Sequence, residues 1–352
     1  VEGSESGGTL TVAAAGGSAQ VLAPAAVTAA ATVAKKLLVL LVNFTTNTTQ
    51  PYTAATAAAV NFTNNNSVAN YFAEESDGQL AMTGDVRGYY TISSDPTVCD
   101  FNDIGAKAKA AAQLDGVILS NYTNIQYVFP SSPCGWAGLA YLPGTESWLN
   151  QALTLRTASH ELSHNFGVHH ASTWNCTENG VRVAIAQNTA NCTANEYGDP
   201  FTVMGAASTR HTHDQQLASL GWLPSAQRLT VTANGTYVLG AAEDATAAVR
   251  AMRVPRGDGT YLYLEIRRPT GSYFDNFSTT DPAVKGVSIR VSNDWTSVIQ
   301  SKLLDTTPET TSFSDAPLAV GRTFSDVKVG VNITTVSINS TTNAATVEIA
   351  WG

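Results

Sequence analysis

The sequence predicts an α/β domain, built on a twisted sheet and one helix that carries the functional site, followed by an all-β antiparallel sandwich domain. Strand-like and helix-like runs alternate between Lys36 and Leu223, which is typical of helices packed on a sheet. Within them, the stretch HELSHNFGVHH places two histidines at the spacing of one helix face. Later runs are short and β-rich, without a helical period. We therefore predict domains over residues 36–224 and 225–352.

Residues 1–35 form an Ala/Gly-rich N-terminal segment that is expected to have weak or accessory structure. Ala, Gly, Ser, Thr and Val dominate it, and it shows no amphipathic period. The composition changes at Lys35 and Lys36, so one hypothesis is that the segment is the remnant of a pro-segment that ends there. We recognise no signal segment or hydrophobic tail and expect a mature form.

The first domain is predicted from runs that follow one another in order. LLVLLVNF is an apolar run of strand length, far below the roughly 18 residues of a membrane-spanning helix. SVANYFAEES and FNDIGAKAKAAAQLDG are helix-like, and Gly116 suits the C-terminal cap of the second helix. AMTGDVRGYYTI, IQYVF and GWAGLAYL are strand-like. Interleaving of this kind indicates helices packed on a twisted sheet.

The second domain is predicted from short β-rich runs separated by Gly, Asn, Asp and Pro. These runs are RLTVTA, TYVLGA, YLYLEIRR, VSIRVS, VGVNITTVSI and ATVEIAW. Short strands with turn residues between them indicate an antiparallel sandwich of about 125 residues. The boundary between the domains is expected near Pro224.

The charge balance argues against nucleic-acid and membrane partners. Charged residues make up 13% of the chain, the formal net charge is -9, and Lys35 and Lys36 form the main basic cluster. A nucleic-acid interface or an anionic membrane patch needs more clustered Lys and Arg. We therefore expect neutral or protein partners and no nucleic acid. We also predict no membrane span, because the apolar runs are short, and a monomer.

The cysteines and the Asn-x-Ser/Thr triplets indicate secretion. Four cysteines without a C-x-x-C pair favour two disulfides over a thiol metal site, with free thiols as the alternative. Of the three connectivities, we favour Cys99 to Cys134 and Cys176 to Cys192, because the second closes a short loop, worth about 3 kcal/mol in the chain-entropy model. A Thr- and Asn-rich chain also forms triplets by chance. The candidate N-glycosylation sites are Asn43, Asn47, Asn61, Asn65, Asn121, Asn175, Asn191, Asn234, Asn276, Asn332 and Asn339.

Four of the six histidines lie in HELSHNFGVHH, and their spacing predicts a site for one metal ion. In a helix, His160 and His164 lie on one face, about 6 Å apart along the axis. A straight helix would carry His170 about 15 Å beyond His160, so the helix must end before it. Gly167 can adopt the left-handed conformation that ends a helix and turns the chain back.

Three histidines and an open position form the ligand set of a catalytic zinc ion. We therefore predict one Zn²⁺ bound by His160, His164 and His170. Zinc lowers the pKa of its bound water from about 15.7 towards 7, and Glu161 can accept the proton of this water as a general base and pass it to the departing amine. The predicted reaction is peptide-bond hydrolysis without a covalent intermediate.

The three remaining histidines are expected to have no part in the metal site. His169 adjoins a predicted ligand. His211 and His213 are expected to lie in loops or at the surface, with contact of one of them to substrate as the alternative. The sequence leaves calcium binding undetermined, because Asp275 and Asp281 lie in loops, where solvated carboxylates are the ordinary explanation.

The spacing H-E-x-x-H-x-x-G-x-x-H is the metzincin signature. Downstream, Met204 lies in the turn-rich stretch YGDPFTVMG, which suits the Met-turn beneath a metzincin zinc site. A lone methionine is otherwise ordinary core packing. From these two stretches, and from LLVLLVNF, YFAEESDGQLAMTGDV and SLGWL, the chain resembles the gametolysin family of metzincin zinc endopeptidases over residues 36–224. The stretches YLYLEIRR and KLLDTTP are similar to the downstream region of that family but are less specific.

This resemblance implies an α/β metzincin-type zinc protease domain in a secreted endopeptidase that attacks cell-wall or extracellular-matrix glycoproteins. It also implies that the substrate binds in extended form, as a strand added beside GWAGLAYLPG. The alternative is a non-catalytic zinc-binding matrix glycoprotein that binds a partner or carbohydrate through its β-sandwich. Glu161 argues against this alternative, because a binding protein needs no base beside its metal.

Overall fold

The computed structural model describes residues 32–207 and 209–352, together with the backbone of three short strands, β1 (Gly3–Ser6), β2 (Thr9–Ala14) and β3 (Gly17–Ser18). Most of the predicted N-terminal segment lies outside the described residues. The chain forms two compact units, one of residues 29–169 and one of residues 170–352 with residues 1–28. Each unit has its own sheets.

The first unit contains a five-stranded sheet with helices. Its strands are β4 (Val33–Phe44), β5 (Leu80–Ile92), β6 (Asn124–Phe129), β7 (Gly138–Ala140) and β8 (Glu146–Asn150). The strand order is β5-β4-β6-β8-β7, and only the edge strand β7 runs antiparallel to its neighbour. The helices are α1 (Ala54–Ala58), which continues as a π-helical turn (Ala59–Thr63), α2 (Val68–Glu75), α3 (Phe101–Leu114) and α4 (Leu155–Phe166), with a 3-10 turn at Leu119–Asn121.

Local sequence explains these elements well. The centre of β4 is buried on both faces, as an unbroken apolar run in a parallel sheet predicts. On one face, Leu38 and Leu40 pack with Ile104 and Ala108 of α3. Each helix from α1 to α4 begins after a Thr, Ser or Asp whose side chain accepts a backbone hydrogen bond from the first turn. The predicted α/β layer is therefore confirmed. It also contains α1 and β8, which the sequence did not predict.

The second unit is mainly β. Its larger sheet has nine strands, ordered β10-β9-β17-β16-β15-β14-β12, with β11 paired to β9 and β18 to β16, and its smaller sheet has the order β13-β21-β20-β19. The strands are β9 (Ala171–Glu178), β10 (Val181–Val183), β11 (Cys192–Asn195), β12 (Arg228–Thr230), β13 (Gly235–Leu239), β14 (Ala251–Pro255), β15 (Tyr261–Glu265), β16 (Gly286–Ser292), β17 (Ser301–Leu304), β18 (Leu318–Ala319), β19 (Thr323–Asp326), β20 (Val331–Ile338) and β21 (Ala345–Trp351). Its helices are α5 (Asp214–Ser219) and α6 (Pro282–Lys285), with 3-10 turns at Thr189–Asn191 and Ser225–Gln227.

The two sheets of the second unit share one apolar core. Ile333 of β20 and Val347 of β21 belong to the same buried cluster as Met252, Leu264 and Ile289 of the larger sheet. This arrangement is a β-sandwich, and its smaller sheet is antiparallel throughout. The larger sheet is mixed.

The prediction of an all-antiparallel sandwich is wrong for the larger sheet. In it, β12 pairs with β14 and β17 pairs with β9 in parallel. Strand β9 precedes Pro224, so residues from both sides of the predicted boundary lie in one sheet. Strand direction depends on these long-range pairings, which local periodicity does not contain. The domain limits 36–224 and 225–352 stay a prediction, and the compact units divide the chain after residue 169.

Each unit contains one disulfide. Cys99 is bonded to Cys134 in the first unit, and Cys176 is bonded to Cys192 in the second. These are the two pairs that the sequence analysis favours. The second bond joins β9 to β11 at directly paired positions.

His211 and His213 lie in a loop, which is one of the two places expected for them, and both side chains are buried. The two residues are 6% and 0% exposed. The Nδ1 atom of His211 lies 2.9 Å from the carboxylate of Asp275, and Nε2 of His213 lies 2.7 Å from the hydroxyl of Ser301. Burial of His213 lowers its pKa well below the usual value, since desolvation disfavours the charged ring. Both histidines are structural groups of the second unit.

The expected solvated loop carboxylates are also paired with cations. Asp275 is fully buried, and its Oδ2 atom lies 2.9 Å from the guanidinium of the equally buried Arg267. Asp281 is half-buried and lies 3.1 Å from the guanidinium of Arg210. The loop that carries these carboxylates contacts Arg267 and Arg210. The loop sequence alone does not predict these contacts.

Two of the eleven candidate glycosylation sites are buried. Asn43 is 1% exposed and Asn61 is 0% exposed, and their side-chain amides donate hydrogen bonds to Thr48 and Ala57. A glycan has no room at either position in the folded unit. Asn47 is half-buried, and the exposed sites are Asn65, Asn121, Asn175, Asn191, Asn234, Asn276, Asn332 and Asn339.

No helix within the described ranges is both long enough and apolar enough to cross a membrane.

Candidate metal centre

Helix α4 places two histidine rings together. The helix begins after Thr154, whose hydroxyl accepts a hydrogen bond from the backbone N–H of Thr157 at 3.1 Å. His160 and His164, one turn apart, have ring centroids separated by 4.7 Å. Two possible metal ligands are therefore presented from one helix face.

The end of α4 brings the third histidine to the same place. Gly167 has φ 115° and ψ 27°, and its N–H bonds to the carbonyls of Ser163 and His164. This left-handed conformation ends the helix and is open to glycine without a steric cost. One ligand atom from each of His160, His164 and His170 lies within 4.8 Å of the other two. The three side chains could therefore hold a metal ion.

Hydrogen bonds at Nδ1 decide which ring nitrogen of His164 and His170 could bind a metal ion. Nδ1 of His164 lies 2.8 Å from the carbonyl oxygen of Val168, and a carbonyl can only accept. Nδ1 of His170 lies 2.6 Å from the Oε1 atom of Glu196. Each Nδ1 therefore carries the proton, which leaves Nε2 of both rings as an electron-pair donor. A set of three imidazole nitrogens suits zinc among the common ions.

Glu161 follows the first histidine directly, and its side chain is buried. It is 6% exposed, and burial raises the pKa of its carboxyl to about 8. Across from it lies Gly138 of the edge strand β7. A Cβ atom on Gly138 would lie 2.3 Å from Oε1 and 2.7 Å from Cδ of Glu161, so a glycine is required for the carboxylate to keep this position.

We expect Gly138→Ala to lower activity far more than stability. The added methyl group displaces the flexible end of Glu161, which can move aside without disturbing the core. A catalytic group misplaced by about 1 Å can lose about 10²-fold in rate, and a loss of that order in kcat is expected. The measurement is kcat on a peptide substrate, together with the thermal midpoint.

Gly352→Ala is the control, since a Cβ atom there also meets no heavy atom within 4 Å and the residue lies outside the predicted substrate-binding stretch. It should leave both quantities unchanged. Wild-type kcat in Gly138→Ala would contradict the predicted role of Glu161 as the general base.

The segment that contains Met204 is hydrogen-bonded to Ala171, the residue after the third histidine. Met204 is fully buried, and its carbonyl accepts a hydrogen bond from the N–H of Ala171 at 2.9 Å. The N–H of Asp199 donates in turn to the carbonyl of Ala171 at 3.2 Å. The loop from Asp199 to Met204 therefore holds Ala171 on both sides and fixes the start of β9.

Sequence reasoning missed the charged residues that anchor this loop. The carboxylate of Asp199 lies 2.7 Å from Nε of Arg290 in β16, and both side chains are 0% exposed. Arg290 also contacts Glu265, which binds Arg267 at 2.8 Å. The available signal is an arginine inside the strand run VSIRVS, because a charge in a buried strand requires a buried partner.

Other predicted residues lie outside the ligand group. His169 adjoins His170, but its ring lies 6.4 Å from that of His164, and it does not belong to the set of three. His211 and His213 bond elsewhere in the second unit.

Known proteins provide one informative similarity. The family model described as "Gametolysin peptidase M11" matches residues 36–293. No curated protein matches the chain. Among solved structures, a chain described as "Structure of a chaperone-substrate complex" is 18% identical with a TM-score of 0.30. That match covers 39% of this chain and 24% of the other, so this chain spans about a quarter of that structure's length. A likeness of this size supports no argument about fold or function.

Proposed function

Since the chain belongs to the gametolysin peptidase M11 family over residues 36–293 and is therefore a metallopeptidase, we propose that it is a secreted, zinc-dependent endopeptidase of extracellular or cell-wall glycoproteins. The observation that carries this proposal is the group of three histidines within 4.8 Å of one another, next to the buried carboxylate of Glu161. This combination supplies a site for zinc and a base beside it.

His160, His164 and His170 would hold the zinc ion. When bound, zinc supplies Lewis acidity, which polarises a peptide carbonyl and makes water a stronger acid. Glu161 takes the proton from the attacking water as its oxygen bonds to the carbonyl carbon. The same carboxyl then gives the proton to the amine nitrogen as the C–N bond breaks. The Glu161 carboxyl, whose burial alone raises its pKa to about 8, would be ionised beside a bound cation, because a nearby positive charge favours the carboxylate.

The edge strand β7 is the proposed substrate-binding edge. It pairs only with β8 in the five-stranded sheet, and Gly138 within it approaches Glu161. A substrate in extended form would add as a further strand and present a peptide carbonyl near the carboxylate. Met204 would form the floor of the site, as in other metzincins.

Disulfides and exposed acceptor sites support the extracellular part of the proposal. The bonds Cys99–Cys134 and Cys176–Cys192 suit an oxidising compartment. Eight acceptor asparagines are exposed, which fits a glycoprotein. We propose a monomer as the active form.

Removal and return of the metal tests this proposal. We expect a strong chelator to abolish cleavage of a protein substrate, because without the ion nothing in the proposed site polarises the peptide carbonyl. One equivalent of Zn²⁺ should restore it, and a serine-protease inhibitor should have no effect. The measurement combines bound zinc per chain with cleaved bonds in a peptide library.

Full cleavage by the metal-free protein would refute the zinc mechanism. Stoichiometric zinc without any cleavage would favour the alternative, a matrix glycoprotein that binds a partner or carbohydrate through its β-sandwich.

A further inference from the structure

The third histidine has a charged partner that neither the signature nor the helix contains. Nδ1 of His170 lies 2.6 Å from Oε1 of Glu196. The same Oε1 atom accepts a hydrogen bond from Nε2 of Gln300 at 2.9 Å. The carboxylate is thus held by two donors, although its side chain is 48% exposed.

The strands on either side of β9 position Glu196 and Gln300. Strand β11 pairs with β9 and ends at Asn195, directly before Glu196. Gln300 directly precedes β17, where Ser301 pairs with Ala171, the residue after His170. Two strands on opposite sides of β9 therefore carry the carboxylate and the amide to the imidazole. The Cys176–Cys192 bond fixes one of these strands to β9.

An aromatic ring completes the environment of His170. The ring of Tyr197 has its centroid 4.1 Å from that of His170, tilted by 46°. The side chain of His170 is 13% exposed, so packing and hydrogen bonding together restrict the orientation of its ring. This is more support than a flexible loop histidine would have.

The groups that accept the Nδ1 protons of His164 and His170 differ in charge. His164 donates its Nδ1 proton to the neutral carbonyl of Val168, whereas His170 donates to a carboxylate. A carboxylate at Nδ1 fixes the tautomer, orients the ring and makes Nε2 a stronger donor to a metal. His170 is also the one ligand outside the helix, so its position depends on such support.

We propose that Glu196 is the positioning residue of the metal centre, and that it holds His170 with Nε2 directed at the ion. Gln300 supports it by holding the carboxylate. This inference rests on the proposed function in one respect, namely that the bound ion is zinc. Glu196 acts through His170 and has no contact with the reacting bond in this assignment.

Zinc affinity of the full chain tests the role of Glu196. The variants are Glu196→Ala and Glu196→Gln, and the measurement is the zinc Kd by competition with a chromophoric chelator. Loss of a partner of this kind costs about 10- to 100-fold in metal affinity, which is expected for Glu196→Ala. Glu196→Gln should lose less, because its amide oxygen still accepts from Nδ1. Gln300→Ala should also weaken zinc binding by a smaller factor than Glu196→Ala.

Glu348→Gln, on the exposed side of β21, is the matched control and should keep the wild-type Kd. Thermal midpoints establish that each variant is folded, and the conservative Glu196→Gln and the neighbouring Gln300→Ala keep the test decisive if Glu196→Ala unfolds. Wild-type zinc affinity in the folded Glu196 variants would overturn the inference and leave the proposed function intact. Absence of zinc binding by the wild-type chain would instead overturn the proposed function and the inference with it.

Discussion

Glu161→Gln is expected to lower kcat/KM on a peptide substrate by about 10²- to 10⁴-fold, the range that a positioned general base contributes. The amide keeps the shape of the side chain but cannot take a proton from water. Zinc binding should persist, because His160, His164 and His170 are unchanged. The fold should persist as well, since a neutral amide is easier to bury than a carboxylate.

Activity and zinc content must be measured on the same samples for this result to be decisive. The Glu161→Gln protein should hold one zinc ion per chain and show the wild-type thermal midpoint while its cleavage rate falls. Glu348→Gln, an exposed glutamate of β21, should leave all three quantities unchanged. If Glu161→Gln cleaves within a few fold of wild type, Glu161 is not the base, whatever the state of the metal.

The metal centre could be predicted from sequence to the extent that its geometry is local. Helical spacing determines that His160 and His164 share a face, and a left-handed Gly167 is the simplest way to bring His170 back to them. The structure brings the three residues together. Eleven consecutive residues contain this information, so no long-range contact was needed to find it.

The supports of the site could not be predicted, because they come from distant strands. Glu196 follows His170 by 26 positions, and Arg290 follows Asp199 by 91. Both contacts depend on which strands pair, and the parallel pairing of β17 with β9 has no signature in either strand. A charged residue in an apolar run indicates that it has a buried partner, but the run does not identify that partner.

Burial limits sequence motifs in the same way. The triplets at Asn43 and Asn61 fit the acceptor pattern as well as any other, yet their side chains lie in the core of the first unit. The triplet describes what an enzyme could modify on an open chain, whereas the fold decides which asparagines remain accessible.

The buried pair of Asp199 and Arg290 gives the largest expected effect on stability. Both side chains are 0% exposed and meet at 2.7 Å. In Asp199→Asn, Arg290 loses the nearer of its two carboxylates and must share Glu265 with Arg267, which already binds it at 2.8 Å. A buried charge left without its partner costs about 3 to 5 kcal/mol, so the free energy of unfolding of the second unit should fall by that amount.

The same substitution should also weaken zinc binding, because Asp199 belongs to the loop that holds Ala171 beside His170. Urea denaturation gives the change in unfolding free energy, and chelator competition gives the zinc Kd.

Glu309→Gln is the control. It breaks an ion pair with Arg322 whose side chains are 55% and 43% exposed, and it should change neither quantity, since solvent screens such pairs. Loss of stability with an unchanged Kd would separate the ion pair from the metal centre. Unchanged stability would mean that the remaining carboxylates Glu265 and Asp214 compensate Arg290, and that Asp199 does not anchor its loop through this ion pair.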